Sequence, residues 1–242
     1  MVKICEYCHK EFKIKYNHNK QRFCSKSCAT SSRFEEDDGL FRNDIDDCIQ
    51  KYILGLIITD GCITKNGKKF VICISLKDKE IIEQIRDVVC KNKKVYRDGN
   101  NYQVKWRNSN DISYLKKLNI TPRKTYTVGI PNFKHNMSHL IRGLFDGDGC
   151  VYNSKTIDKS KEYVYQCVSF TSGSEQFTYD LSKLLTDNNI QHKINIDSRR
   201  KDCDNKTYYV KICKKNDVQK LKNLMYEDCN NWKLKRKYNL FI

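Results

Sequence analysis

Two stretches, YILGLIITDGCI at residues 52–63 and LIRGLFDGDGCV at 140–151, decide how this chain folds, because both are apolar runs that end in Asp-Gly. Further pairs keep the same order. YQVKWRNSNDISYLKKL from Tyr102 matches YYVKICKKNDVQKLKNL from Tyr208 without a gap, and Arg123-Lys124 and Arg236-Lys237 follow in turn. The spacing between copies grows along the chain, as insertions in the second copy would produce. The polar stretches NSKTIDKSKE (153–162) and SRRKDCDN (198–205) are expected to be those inserted loops.

Outward from the first stretch, Ile45, Ile49, Ile53, Leu56 and Ile57 recur at helical spacing, and the helix should stop near Gly61. Next, KFVICISL (69–76) alternates like a strand, and KEIIEQIRDVV (79–89) reads as an amphipathic helix. KVYRDGNNYQVKW (94–106) reads as a hairpin turning at Asp98, Gly99 and Asn100, before a helix from Asp111 to Leu118. The second copy predicts helix 137–147, strands near 149–153 and 163–170, helix 175–188, hairpin 191–213 and helix 217–226. The fold class is therefore α+β, a pseudo-symmetric duplicated αββαββα arrangement. Helices would cover one face of each four-stranded sheet, leaving the other faces to form a basic saddle.

Lys and Arg number 46 against 29 Asp and Glu, a formal charge of +17, which points to a polyanionic partner, nucleic acid first. A membrane partner is disfavoured, because hydrophobic content is 39% and no apolar run reaches bilayer length. The start, MVKICEYCHKEF, lacks an apolar core with a cleavage site, so an intracellular, reducing setting and no secretion are expected. The 13 cysteines are an odd number spread along the chain, which argues against a disulfide framework.

Only the first four cysteines have ligand spacing. Cys5 and Cys8, with Cys24 and Cys28, can close a tetrahedral Zn²⁺ site, and a segment so short and polar needs such a metal as its core. A redox Cys-x-x-Cys would need a strand-helix unit that this segment lacks. Lys10, Lys13, Lys15, Lys20, Arg22, Lys26 and Arg33 suit phosphate contacts; His9 and His18 are expected at the solvent or phosphate side. The acidic EEDDG (35–39) then separates the parts. The expected division is a zinc-finger-like module at 1–34, a linker at 35–44, a first repeat at 45–133 and a second at 134–242.

ILGLIITDG (53–61) and IRGLFDGDG (141–149) resemble two copies of the motif of the LAGLIDADG homing endonucleases, and the N-terminal segment resembles zinc modules of phage and mobile-element nucleases. The resemblance implies a monomer acting as a pseudo-dimer, with the motif helices side by side. It implies that Asp60 and Asp148 bind a catalytic Mg²⁺, with Gly61 and Gly149 beside it, and that Lys124 and Lys237 stand near the scissile phosphates. Arg123, Lys235 or Arg236 could take the lysines' place. Small Gly55 and Gly143 would let the helix backbones approach, and two neighbouring carboxylates would repel unless a cation sat between them. The earlier motif acid survives only as Asp146, with Ile58 in the first copy, and is expected to support the helix end rather than to catalyse.

The function the resemblance implies is site-specific cleavage of a double-stranded DNA partner with a divalent metal. A maturase acting on intron RNA and a non-cleaving DNA-binding regulator of the same fold are the alternatives. An intein is disfavoured, as the chain starts without a nucleophile and ends in NLFI. Candidate base-reading residues are Lys68, Lys105, Arg107, Gln166, Arg199, Arg200 and Lys211, of which strand alternation should turn about half away from DNA.

Overall fold

A computed structural model describes residues 2–14, 21–32, 36–66, 69–197 and 206–241. It divides into two units, residues 1–37 and 38–242. In the first, β1 (Val2–Ile4) and β2 (Glu11–Lys13) form an antiparallel pair, followed by α1 (Lys26–Ser32). Among its described residues the one buried apolar side chain is that of Cys5.

The second unit runs through α2 (Asp47–Thr59), β3 (Gly61–Asn66), β4 (Lys69–Leu76), α3 (Lys79–Val89), β5 (Tyr96–Asp98), β6 (Asn101–Trp106) and α4 (Ser109–Lys117). It then repeats as α5 (Met137–Asp148), β7 (Gly149–Asp158), β8 (Lys161–Ser172), α6 (Glu175–Asp187), β9 (Lys193–Ile196), β10 (Tyr208–Ile212) and α7 (Lys215–Tyr226). The sheets have matching orders, β3-β4-β6-β5 and β7-β8-β10-β9, with every pairing antiparallel. The duplication read from sequence is thus a duplication of topology. Two short turns were not anticipated, a 3-10 turn at Lys124–Tyr126 and the single-turn α8 (Lys235–Tyr238).

Local chemistry explains the helix starts. Asp46 accepts from Cys48 N–H at 2.7 Å to begin α2, and Asn108 accepts from Asn110 and Asp111 N–H, each at 3.0 Å, to begin α4. Each sheet turns one row of aliphatic and aromatic side chains into the core. Ile63, Ile72, Ile74, Val104 and Trp106 form it in the first and Val151, Val168, Phe170, Val210 and Ile212 in the second, all in one core. Alternation puts Cys62, Lys105 and Lys211 on the opposite faces.

Residues 51–58 of α2 are all buried, so this helix is a central element rather than an amphipathic one. It packs on α5 with almost nothing between them. A Cβ on Gly143 would lie 2.1 Å from Tyr52 O and 3.0 Å from Gly55 Cα, and one on Gly55 would lie 2.5 Å from Leu140 O. Backbone touches backbone.

Three expectations change. NSKTIDKSKE is not an inserted loop: apart from the turn at Lys159-Ser160 it extends β7 and β8 into a long hairpin, since paired β-branched and aromatic residues such as Thr156 and Tyr163 keep the ladder going. Residues 38–44, expected as linker, are built into the larger unit. Leu40 is fully buried, and Leu40 and Phe41 N–H donate to buried Asp111 at 2.8 and 3.0 Å. Cys167 and Cys213 form a disulfide, contrary to the expected reduced thiols, because they fall at the next cross-strand position after Val168 and Ile212.

Replacing Gly143 with Ala should prevent folding or cost about 3 kcal/mol or more, since the obstacle is backbone that cannot rotate away. Gly99→Asn, in an open turn with φ +56, should shift the melting temperature little. Circular dichroism melts of both variants check the contrast.

Candidate active site

Helices α2 and α5 end at the same place. Asp60 caps α2, its N–H donating to Leu56 O, and Asp148 is the last residue of α5. Between them the chains abut: a Cβ on Gly147 would lie 1.9 Å from Thr59 Oγ1 and 3.0 Å from Asp60 Oδ2. Both carboxylates are reached by solvent at the mouth of this junction.

A helix C-terminus leaves carbonyls unsatisfied and carries partial negative charge, and neither α2 nor α5 has a basic residue in its own last turn. The cations come from afar. Lys124 Nζ donates to Gly61 O at 2.7 Å, and Lys237 Nζ to Phe145 O, Gly147 O and Gly149 O at 2.9, 2.6 and 2.7 Å. Both amines are buried, which pulls them below their usual range, with nearby carboxylates opposing. The structure thus brings Asp60, Asp148, Lys124 and Lys237 together, but the lysines bind the motif's carbonyls rather than standing free for phosphate. The Gly61 and Gly149 carbonyls, expected beside the metal, each carry an ammonium that would repel a second cation.

Burial pushes Asp60 up to about 6, Asp148 adds to the rise, and Lys237, Lys124 and Arg236 oppose it. Burial also raises Asp148, against Lys237 and Lys124. Two carboxylates kept near each other against their own repulsion, with solvent access, are a donor set suited to a hard divalent cation. A cleft of about 230 Å³ lined by Thr59, Lys124, Asp148, Thr171 and Gly173 opens beside them.

Arg236 and Lys235, considered as substitutes, are exposed and paired with Asp78 and Glu80 at 2.8 Å. Gln166 is corrected as a base-reading residue. Its position in β8 shares the row of buried Val168, and its side chain donates to Leu240 O at 2.7 Å. Arg107 follows the end of β6 and lines a cleft with Phe70 and Ile112 instead of a strand face. Lys105 and Lys211 remain on the open faces; Lys68, Arg199 and Arg200 lie outside the described residues.

Sequence reading missed Arg142 and expected Asp146 to support its helix end; both are buried under α5. Arg142 is 2% exposed and donates to Met225 O and Trp232 O at 2.8 Å each and to His139 Nδ1 at 2.9 Å. Asp146 is fully buried and accepts from Tyr52 OH, Leu234 N–H and Tyr226 OH at 2.8, 2.8 and 3.3 Å. The signal for Arg142 was its charge in an otherwise apolar motif.

In the smaller unit, the sulfur atoms of Cys5, Cys8, Cys24 and Cys28 lie within 4.8 Å of one another, with Cys24 Sγ 3.6 Å from Cys8 Sγ and 3.4 Å from Cys28 Sγ. Those spacings suit a zinc tetrahedron, whose edge is about 3.8 Å for Zn–S bonds of about 2.3 Å. Burial raises the Cys5 thiol, but N–H donors from Cys8, Cys24 and Tyr7 outweigh it and bring it down to about 6; Cys24 is pushed up to about 12 by its thiol neighbours. Only a shared cation would let all four ionise together.

Comparison with known proteins agrees with this arrangement. The LAGLIDADG-like domain model matches residues 47–109 and 136–225. The chain belongs to this family. Within the family its likeness to solved structures shows the shared fold. The meganuclease I-AabMI bound to uncleaved DNA superposes with a TM-score of 0.55 at 15% identity, covering 78% of this chain and 86% of that one. I-SmaMI bound to uncleaveable DNA gives 0.52 at 12% identity, covering 69% and 80%. The homing endonuclease I-LtrWI bound to target DNA gives 0.51 at 14%, covering 78% and 85%. An uncharacterised protein of Methanocaldococcus jannaschii is 30% identical over 135 residues, 50% of this chain; the chain spans about half the length of that curated relative, 47%. Among the described residues no helix is long and apolar enough to cross a membrane.

The raised Asp60 carries a sign. Its native form favours the proton, so metal-free stability should rise as pH falls from 7 through about 6 towards the ordinary carboxylate value near 4. Asp60→Asn should therefore raise the melting temperature of metal-free protein at pH 7, by roughly 2–4 °C after allowing for solvent screening. That advantage should fade near pH 4 in a series of melts.

Proposed function

We propose that this chain is a site-specific double-strand DNA endonuclease that hydrolyses phosphodiester bonds with a divalent metal held by Asp60 and Asp148. One observation carries the reading: two aspartates, one from each repeat, meet at the ends of helices in backbone contact in a LAGLIDADG-family chain. I-SmaMI, similar in fold, has been seen bound to uncleaved DNA target in the presence of calcium ions, which supports a divalent cation here, Mg²⁺ being the physiological choice.

Bound between the carboxylates, such a cation would lower the pKa of coordinated water and neutralise charge on the leaving oxygen. The chain's own residues hold the frame. Asp60 and Asp148 supply the ligand oxygens, while Lys124 holds the chain just past α2, Lys237 holds the end of α5, and both add positive charge where phosphate must come. The open sheet faces, carrying Lys105 and Lys211, supply the DNA-facing surface; a net charge of +17 provides long-range attraction. A single chain suffices, because both halves of the site lie within residues 38–242. The smaller unit holds Zn²⁺ through Cys5, Cys8, Cys24 and Cys28 as a structural site.

Asp60→Asn and Asp148→Asn should each reduce Mg²⁺-dependent cutting of a duplex containing the target by roughly 100-fold or more while leaving binding intact. Binding by all three proteins should weaken linearly on a log-log plot against salt. Full cutting by either variant overturns the assignment.

Purified protein should contain one zinc, removed by Cys5→Ser with Cys24→Ser, and the far-ultraviolet signal of the larger unit should survive that loss, as metal analysis and circular dichroism can measure.

A further inference from the structure

The motif's earlier acid is present once, as Asp146, and it is fully buried. Its carboxylate accepts Leu234 N–H at 2.8 Å, and Leu234 is the residue that begins α8. No side chain of α8's own caps that turn. Three residues on, Lys237 reaches back to the carbonyls of Phe145, Gly147 and Gly149. A ring closes: helix α5, the Asp146 carboxylate, the start of α8, the Lys237 amine, and the end of α5 again. Arg142, one turn earlier, holds the approach to this ring through Met225 O and Trp232 O.

The first half reaches the same end differently. Ile58 stands at the matching motif position, 2% exposed, and Leu54 stands where the second motif has Arg142. No carboxylate there can grip the lysine's turn. Instead Pro122 precedes Arg123, which adopts a left-handed φ of 61°, and Lys124 follows at once with a single bond to Gly61 O. Backbone geometry sets one lysine; a buried carboxylate sets the other.

We propose that Asp146 is a positioning residue that holds Lys237 against the end of α5, so that the cut in the DNA strand nearest Lys237 depends on it and the cut in the strand nearest Lys124 does not. This rests on the nuclease reading, but the placement of Lys237 can be tested without cleavage. The full-length protein is treated with an acetylating ester, and modification of Lys237 and Lys124 is followed by mass spectrometry. Nicking and linearisation of a supercoiled plasmid bearing the target are measured in parallel.

In the wild type both lysines should be protected. In Asp146→Ile, which copies the first half, acetylation of Lys237 should rise about tenfold or more with Lys124 unchanged. The same variant should accumulate nicked circles, the second cut slowing about tenfold while target affinity stays within about threefold. Asp146→Asn keeps an oxygen for Leu234 N–H and should restore Lys237 protection and most of the linear product. Should Asp146→Ile not fold, Leu234→Pro removes the donor at a residue whose φ of −78° suits proline, and should expose Lys237 alone. Unchanged protection of Lys237 overturns the proposal, as does exposure of both lysines together, which would mark general loosening. A wild-type protein that never cuts would defeat the nuclease reading and leave the acetylation result to decide the role of Asp146.

Discussion

At the centre of the larger unit two helix backbones meet with no side chain between them, and everything else is arranged around that contact. Gly55 and Gly143 face each other so closely that a methyl group on either would collide with backbone. Such a seam gains dispersion contacts along its length, and the surrounding Ile and Leu side chains are free to pack outward into both halves. Each sheet then needs only one apolar face, since its helices lie on that side. The opposite faces carry Lys105 and Lys211.

The same contact creates the electrostatic problem at the helix ends. Two C-termini and two aspartates concentrate negative charge at one point, and burial makes the charge harder to bear. The protein answers with two lysines brought from the far end of each repeat, Lys124 on Gly61 O just past α2, and Lys237 on Gly149 O just past α5 and on Phe145 O and Gly147 O within it. The remaining imbalance lies with the carboxylates, whose oxygens are of the type a hard divalent cation takes.

Much of this was legible because it follows from periodicity and repetition. The doubled motif, the matched hairpins and the facing glycines all translate directly into elements and topology. What was not legible depends on long-range partners. Lys124 and Lys237 could be paired by the repeat, but their carbonyl acceptors are set by how the chain returns to the helix ends. Gln166 looked like a reader because it is polar in a strand, and only the register placed it among core-facing positions. The Cys167–Cys213 bond needed the same register, Asp111 became structural because Leu40 and Phe41 N–H from a distant segment converge on it, and Asp146, expected to support its helix end, does so through partners the sequence could not name.

A seam made of backbone also acts as a gauge. On the nuclease reading, the offset between the two broken bonds on opposite strands follows from how far apart the helix ends lie, and that distance has no side-chain length in it to vary. Sheets, hairpins and loops can change residue by residue to suit a different target while the stagger of the cut stays fixed. Two glycines would thus conserve the form of the product while the rest of the surface is at liberty to choose where it is made.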